Sequence, residues 1–308
     1  QAFDRVWHDG LLYKLKKFLP APYYLLIRSY LQNRTFSVRQ GTSTSLYFPI
    51  FAGVPQGSDL SPDLFNIYTS DFPTTNNTTI ATYADDTAIL TSDTDPEIAF
   101  SALQNHLDLI SIWATTWRVK INPEKSFHVP FTLRKKNSPP LQLQGVDIPI
   151  TPKIKYLGIT IDKRLTWGPH LKSKRKLLNY RLHMLRPILK SKLSINSKLT
   201  IYKSFLRPIW TYGSQIWGCA KPSQLQTIQA FQSISLRLIT SAPWYVTNNT
   251  LHKDLKIQTV EHLTKQYYTK FHKKLHLHHN PLISHLSSRT LPDNPPRRLK
   301  RRWCRDLL

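Results

Sequence analysis

The chain is poor in cysteine and has no long apolar run. Its 308 residues include two cysteines, Cys219 and Cys304, which lie far apart in the sequence. This excludes a disulfide framework and a cysteine-rich zinc site, and it suits a reducing compartment. No apolar stretch reaches the ~18 residues of a membrane span, and the residues after Gln1 do not form a signal peptide. We therefore expect a protein with no membrane partner. Because the chain does not begin with methionine and ends abruptly at RRWCRDLL, we also expect it to be a piece of a longer polypeptide.

Lysine and arginine are missing from one stretch and concentrated in another. Residues 51–100 hold eight acidic residues and no Lys or Arg. Residues 1–150 carry no net charge, whereas residues 151–308 hold 30 basic and five acidic residues and so carry the whole excess of +25. Such clustering is typical of a polyanion-binding protein, with a merely soluble basic protein as the alternative. Aromatic residues that could stack on bases lie among these cations, although many will belong to the core: Tyr180, Tyr202, Trp210, Tyr212, Trp217, Trp244 and Tyr245.

The hydrophobic pattern predicts an α+β first half and a helical second half, with the boundary near 150–168. Helices are predicted over 11–18, 22–32, 95–117, 169–190, 195–212 and 222–240, and another is predicted to start at Ser61 as its N-cap. Strands or hairpins are predicted within 34–50, 79–92, 119–121, 127–133 and 155–167. The Pro- and Arg-rich residues 285–302 are expected to be poorly ordered.

Two adjacent aspartates stand in the sequence YADDTAIL, residues 83–90, where no nearby residue can neutralise them. Asp85 and Asp86 have no Lys or Arg within thirty residues on either side. Successive side chains of a strand point to opposite faces, so both carboxylates reach one site only at the tip of a tight hairpin. A bound metal ion would neutralise their charges, while a solvated Asp-Asp turn is the structural alternative.

A second motif, AGVPQGSDLSPDLFNIY at residues 52–68, places a turn before a helix. Gly57 permits close approach of a ligand, Gln56 supplies an amide, and the helix start adds free backbone N–H groups. These features suit the wall of a nucleotide pocket. A glycine-containing loop without such a role is the alternative for this motif alone.

Taken in order, the motifs resemble the reverse transcriptase domain of non-LTR retrotransposons, most closely the jockey-like group. AFDRVWHDGLLYKL resembles the tail of polymerase motif A, GVPQGSDLSPDLFNIY motif B and YADDTAIL motif C. WATTWRVKINPEKSFHV (113–129) is similar to motif D, and YLGITIDKRLTW (156–167) to motif E, the primer grip. APWYVTNNTLHKDLKI (242–257) resembles the C-terminal extension of these elements. Five motifs in the correct order make the resemblance specific.

The resemblance implies a right-hand polymerase with a ferredoxin-like palm and a basic helical thumb. The palm would span 1–150, the motif E hairpin and thumb 151–240, and a basic extension 241–308. The implied chemistry is nucleotidyl transfer with two divalent cations, Mg²⁺ or Mn²⁺. Asp85 would be the principal metal ligand and Asp86 the weaker one.

The resemblance also implies roles for further residues. Phe3 corresponds to the aromatic steric gate against a ribose 2′-hydroxyl. Gln56, Gly57 and Tyr83 would contact the nucleotide, and Lys125 of motif D would protonate or neutralise pyrophosphate, with a solvated lysine as its alternative. The primer grip would comprise Tyr156, Leu157 and Gly158.

The sequence departs from the family pattern at two places. The catalytic aspartate of motif A would lie six residues before Asp4, upstream of Gln1, and Asp4 is too distant to replace it because six strand residues span about 20 Å. Asp4 is instead expected to fix local structure. Asp59 occupies a usually aliphatic position, so it marks either an exposed loop or a decaying element. His8, His106 and the tract HKKLHLHH (272–279) are expected to be surface polar residues and not a zinc site.

The implied partners are template RNA, a DNA primer, the RNA–DNA hybrid and dNTP, in a ribonucleoprotein of the nucleus and cytoplasm. The longer protein would add fingers and an endonuclease domain. Two alternatives stay open: a non-catalytic nucleic-acid-binding remnant of a retrotransposon, and an intron-maturase-type polymerase.

Overall fold

A computed structural model of the chain describes residues 2–134, 139–288 and 303–308. These residues divide into two compact units. The N-terminal unit contains the described residues of 2–128 and 139–151, and the C-terminal unit contains 129–134 and those from 152 onward. Both units mix helices with small sheets, and the strands of the described residues form five two-stranded antiparallel sheets.

The helices of the N-terminal unit enclose a small apolar core. Leu11 and Leu15, four residues apart on one helix face, are fully buried and pack with Leu31 and Leu64. The side chain of Asp95 accepts a hydrogen bond from the backbone N–H of Glu97 and so caps the longest of these helices. The helices are α1 (His8–Phe18), α2 (Ala21–Leu31), α3 (Ser61–Tyr68) and α4 (Pro96–Thr116).

Four of the five two-stranded sheets lie in the N-terminal unit. Strand β1 (Thr35–Phe36) pairs with β4 (Phe48–Pro49), and β2 (Arg39–Gln40) pairs with β3 (Ser43–Thr44). This pairing confirms the predicted hairpin around Gly41. The other two sheets are β5 (Thr79–Tyr83) with β6 (Asp86–Leu90), and β7 (Leu141–Leu143) with β8 (Val146–Ile148). Residues of α4, β7 and β8 form a second small core, with Ile89 of β6 packed against it.

The predicted strands over 119–121 and 127–133 are wrong. Val119 packs against the first core and Ile121 against the second, so each apolar side chain finds its own partners without a strand. His128 makes only an isolated bridge to Ile150. The β7–β8 hairpin was not predicted, because its strands are three residues long.

The C-terminal unit is a helical assembly with a hairpin of β9 (Lys153–Tyr156) and β10 (Ile159–Asp162). The longest helix, α5, contains seven Lys or Arg and no acidic residue. Four aromatic residues are fully buried in the core of this unit: Tyr202, Trp210, Trp217 and Phe231. The helices are α5 (Gly168–Lys190), α6 (Ile195–Ile201), α7 (Arg207–Thr211), α8 (Ser214–Trp217), α9 (Pro222–Thr240), α10 (Asn248–Asp254), α11 (Val260–Leu275) and α12 (Pro281–Ser284), with a π-helical turn at Tyr202–Leu206.

The end of the chain returns to this core. Leu307 is buried there, and the Sγ atoms of Cys304 and Cys219 lie 3.0 Å apart. The two cysteines are therefore distant only in sequence. Of the segment predicted to be poorly ordered, His285–Ser287 forms a 3-10 helix, and 289–302 lie outside the described residues. No helix in the described ranges is long and apolar enough to cross a bilayer.

Candidate active site

The paired aspartates lie at the tip of the β5–β6 hairpin, as predicted. Tyr83 pairs with Asp86, so Ala84 and Asp85 form a two-residue turn. Ala84 adopts φ +52°, a positive value that the first central residue of a type II′ turn requires and that usually selects glycine. Tyr83 and both carboxylates are exposed. The hairpin thus presents two acidic side chains and a tyrosine to solvent on a constrained turn.

The charges of Asp85 and Asp86 are not balanced within the part of the chain that the structure describes, where neither carboxylate forms an ion pair with a protein cation. Their oxygen atoms are the ligands that Mg²⁺ prefers. No group of three or more His, Cys, Asp or Glu among the described residues is arranged to hold a metal ion. The two carboxylates therefore fit a hard cation by chemistry and leave most of its coordination to other groups, as is usual for Mg²⁺ bound with substrate phosphates.

The loop before α3 is bound to the start of the chain. The side-chain amide of Gln56 donates a 2.8 Å hydrogen bond to Asp4 Oδ1. The backbone N–H groups of Gly53 and Val54 donate to the carbonyls of Val6 and Phe3, both at 2.8 Å. These bonds join residues 3–6 to the loop of residues 53–56.

Gly53 permits this close approach. It has φ +95°, and a β-carbon there would stand 2.8 Å from the Cα and carbonyl oxygen of Asp4. The ring of His8 also lies 2.8 Å from the Gly53 carbonyl oxygen, within hydrogen-bond distance. The prediction that His8 is a surface polar residue is therefore wrong, because the half-buried ring supports this loop.

Phe3 is held against the helix that follows the loop. Its ring stacks on Phe65 of α3 with the centroids 4.7 Å apart. Gly57 is exposed at φ +87°, with open space where a side chain would project. Ser61 is not the predicted N-cap: it is the first helical residue, and its hydroxyl donates to the carbonyl of Pro55. Ser61 therefore links the first turn of α3 to the loop that precedes it.

Two further residues of this unit are exposed. Lys125 ends a 3-10 helix, Pro123–Lys125, which Asn122 caps by accepting a bond from the Glu124 N–H. Asp59 lies in an exposed turn beside Leu60. The structure thus brings Phe3, Asp4 and Gln56 together and presents Lys125 on a separate turn.

Residues 156–158 form the tip of the β9–β10 hairpin in the C-terminal unit. Tyr156 pairs with Ile159, and Leu157 and Gly158 both have positive φ, +44° and +77°. The hydroxyl of Tyr212 donates a 2.7 Å hydrogen bond to the Leu157 carbonyl. The ring of Tyr212 covers Gly158, where a β-carbon would stand 3.2 Å from it. Tyr212 therefore fixes the tip.

The base of the same hairpin is fixed by Asp162 and His170. The Asp162 carboxylate accepts from the backbone N–H groups of Thr166 and Trp167 and from the Thr166 hydroxyl. The backbone N–H of Thr160 donates to Nδ1 of buried His170 at 3.1 Å. Burial, with a smaller contribution from the charge of Lys174, lowers the pKa of His170 to about 4. Because Nδ1 must accept, a neutral ring suits this site.

Some of these supporting residues were missed by sequence analysis. His106 was predicted to lie at the surface, but it is fully buried, with its ring nitrogens within hydrogen-bond distance of the Thr78 hydroxyl and the Pro73 carbonyl oxygen. Its place on α4 after Leu103 and before Leu107 and Ile110 was an available signal. Tyr212 carried no such signal, because its partner is 55 residues away.

A comparison with known protein families gives a match over the first half of the chain. Residues 1–161 match the family model described as "Reverse transcriptase (RNA-dependent DNA polymerase)". The chain therefore belongs to the reverse transcriptase family.

Relatives from Drosophila melanogaster extend the similarity over nearly the whole chain. One, named a probable RNA-directed DNA polymerase from transposon BS, is 43% identical over 98% of this chain. Another, from transposon X-element, is 41% identical over 100%, and the RNA-directed DNA polymerase from mobile element jockey is 40% identical over 99%. The chain spans 34% of each of these relatives, about a third of their length.

Proposed function

We propose that the chain is the palm and thumb of an RNA-directed DNA polymerase encoded by a non-LTR retrotransposon. The exposed Asp85–Asp86 turn, in a chain of the reverse transcriptase family, is the observation that supports this most directly. The palm would span 1–150, the motif E hairpin and thumb 151–240, and a basic extension 241–308. The complete protein would act with element RNA in the nucleus and cytoplasm, and would add fingers and an endonuclease domain.

Asp85 and Asp86 would hold Mg²⁺, or Mn²⁺ in its place, together with substrate phosphates. Of the two divalent cations, one would supply Lewis-acid activation of the primer 3′-hydroxyl, and the other would neutralise charge on the leaving pyrophosphate. Asp85 at the turn would be the principal ligand, and Asp86 the secondary one. Lys125 would give a proton or a positive charge to the pyrophosphate.

The remaining residues would position the nucleotide. The Phe3 ring, held by Phe65, would block a ribose 2′-hydroxyl. Gln56, oriented by Asp4, would contact the dNTP together with Gly57, where the backbone is open to a ligand. Tyr83 would contact it from the hairpin.

The cationic half of the chain would hold the template RNA, the DNA primer and their hybrid. Thirty basic side chains in residues 151–308 match the phosphates of a duplex. The hairpin of Tyr156, Leu157 and Gly158 would contact the primer strand, with its tip held by Tyr212. Binding of this kind weakens steeply as salt rises, because bound counterions are released.

Primer extension tests the proposal. We would assay the chain and a chimera joining it to the upstream residues of the jockey relative, on an RNA template with Mg²⁺ or Mn²⁺. The chimera is expected to extend the primer, Asp85→Asn to abolish extension, and Asp108→Asn, at an exposed acid of α4, to leave it unchanged.

Extension by the Asp85→Asn chimera would overturn the proposed role of the hairpin. If every chimera is inert yet binds duplex with steep salt dependence, the chain is a non-catalytic nucleic-acid-binding remnant instead.

A further inference from the structure

The loop between α9 and α10 exposes two adjacent aromatic side chains. Trp244 is 89% exposed, the highest value for a large apolar side chain in the described residues, and Tyr245 is 68% exposed. Four other tryptophans, Trp113, Trp167, Trp210 and Trp217, are buried. Leaving a tryptophan in water forgoes the stabilisation that burial gives the other four. A role outside the core would account for its position.

The loop is held in place by its own hydrogen bonds. The guanidinium of Arg237 donates to the carbonyl oxygens of Pro243 at 2.6 Å and Val246 at 2.8 Å, and to Asn248 Oδ1 at 3.1 Å. The Val246 N–H also donates to the Pro243 carbonyl. Arg237 on α9 therefore fixes both sides of the exposed pair.

The ends of the loop are also defined. Ser241 ends α9 in the left-handed region at φ +52°, and the Thr247 hydroxyl caps α10 by accepting from the Thr250 N–H. The rings of Trp244 and Tyr245 meet edge to face, with the centroids 6.0 Å apart. A ligand that binds these rings would pay little to order the loop.

The charge of the sequence that contains the loop indicates the class of ligand. Residues 163–253, which include the loop, contain 16 Lys or Arg and no Asp or Glu, and the first acid after the loop is Asp254 at the end of α10. Exposed aromatic rings in a strongly cationic part of a chain are the combination by which proteins bind single-stranded nucleic acid, since bases stack on the rings while phosphates meet the cations. Paired bases are already stacked and offer no free face.

We propose that Trp244 and Tyr245 form a stacking site for unpaired bases, through which the chain holds single-stranded RNA. This inference rests on the proposed function for its partner, since a polymerase of this kind handles template RNA that is not yet paired. It adds a contact outside the Asp85–Asp86 hairpin and outside the duplex.

Fluorescence anisotropy with a labelled 20-nucleotide oligouridine and with a labelled 20-base-pair RNA–DNA duplex tests the site. Trp244→Leu is expected to weaken binding of the single strand about tenfold, from the loss of one stacked base, and to leave duplex binding within about twofold. Trp244→Phe, which keeps an aromatic face, is expected to bind nearly as the unsubstituted chain does. Phe205→Leu is the control, because Phe205 is an exposed aromatic residue of the same unit outside the loop.

A direct readout complements the affinities. Oligouridine carrying 5-iodouridine is expected to photocrosslink to Trp244 or Tyr245, as mapped by mass spectrometry. Thermal unfolding of each variant checks that the loop change leaves the fold intact. Unchanged single-strand affinity in a folded Trp244→Leu variant would overturn the inference, as would equal losses for single strand and duplex.

The outcome of this binding test can be distinguished from the outcome of the primer-extension test of the proposed function. Loss of primer extension in Asp85→Asn with unchanged RNA binding in Trp244→Leu would leave a polymerase without this stacking site. Conversely, single-strand binding that depends on Trp244 in a chimera without extension activity would support the stacking site and overturn the polymerase. A Trp244→Leu variant that changes only self-association would mark the loop as a protein contact and overturn the inference.

Discussion

The ammonium group of Lys14 pairs with the Asp71 carboxylate and lies 3.7 Å from the centre of the Trp117 ring. Lys14 is 4% exposed and also donates to the Tyr68 carbonyl, while Asp71 accepts a second bond from Trp113. Burial lowers the pKa of Lys14. Burial would raise the pKa of Asp71, but the bonds from Lys14 and Trp113 outweigh it, and that pKa is lowered. The pair therefore stabilises the carboxylate and carries a desolvation cost at the amine.

Removing the amine should destabilise the N-terminal unit. Lys14→Met leaves Asp71 and the Tyr68 carbonyl without their donor, and we expect a loss of about 2–3 kcal/mol, less than for a fully buried pair because Asp71 keeps contact with water. Lys16→Met, at an exposed position of the same helix, should change stability by less than about 0.5 kcal/mol. Urea unfolding measures the stability of both variants. Equal stabilities of Lys14→Met and Lys16→Met would contradict the role given to Lys14.

The pH dependence of stability should report His170. Its folded pKa of about 4 lies below the ordinary value of 6.5, so the unfolded chain binds the proton more readily. The stability this group contributes is present above pH 6.5 and is lost as the pH falls towards 4, by at most about 3 kcal/mol.

His170→Gln, which keeps an acceptor for the Thr160 N–H, should flatten that part of the profile. His183→Gln, at an exposed position of α5, should leave the profile as it is. Thermal unfolding between pH 4 and 7.5 makes the comparison. If stability depends on pH equally steeply in His170→Gln and in the unsubstituted chain, His170 is not the group responsible.

Tyr212 should affect primer use through the hairpin tip. Tyr212→Phe removes the bond to the Leu157 carbonyl at a stability cost of about 1 kcal/mol. Under the proposed function, a looser tip should raise the KM for primer-template several-fold and leave the KM for dNTP unchanged. Tyr180→Phe, an exposed tyrosine of α5, is the control. An equal rise in both KM values would show a general loss of structure.

Cys219 and Cys304 should form an intramolecular disulfide under peroxide. Each thiol loses one hydrogen and the peroxide is reduced to water, so the intact mass should fall by two hydrogens. Closing a loop of 85 residues should stabilise the folded chain by up to about 4 kcal/mol and protect the chain end from proteolysis. Cys219→Ser should show neither effect, and persistence of both thiols after oxidation would contradict the geometry.

The sequence predicted the parts of the site that depend on local pattern. The Asp85–Asp86 hairpin followed from strand-forming flanks around a two-residue tip, and α3 from Pro62 and the apolar residues after it. The helices of the first half followed from apolar spacing, because one face of each must be buried. The similarity of the motifs supplied the roles of the residues.

The contacts that join these parts could not be predicted. Gln56 meets Asp4 across 52 residues and His106 meets Thr78 across 28, and neither distance is encoded in a local period. The burial of His106 could be inferred from the apolar spacing of α4, but its two partners are brought close only in the folded chain. The short β7–β8 hairpin escaped detection because three-residue strands give too little alternation to recognise.

The contact between Gly53 and Asp4 limits how this chain can be recombined with its relatives. The loop of 53–56, the start of the chain at 3–6 and the Phe65 ring fit one another through backbone atoms and a ring stack. A crossover placed between residues 6 and 53 would join halves shaped by different partners. Productive hybrids should therefore inherit residues 3–65 from a single parent, and a library of crossovers should be depleted within that block.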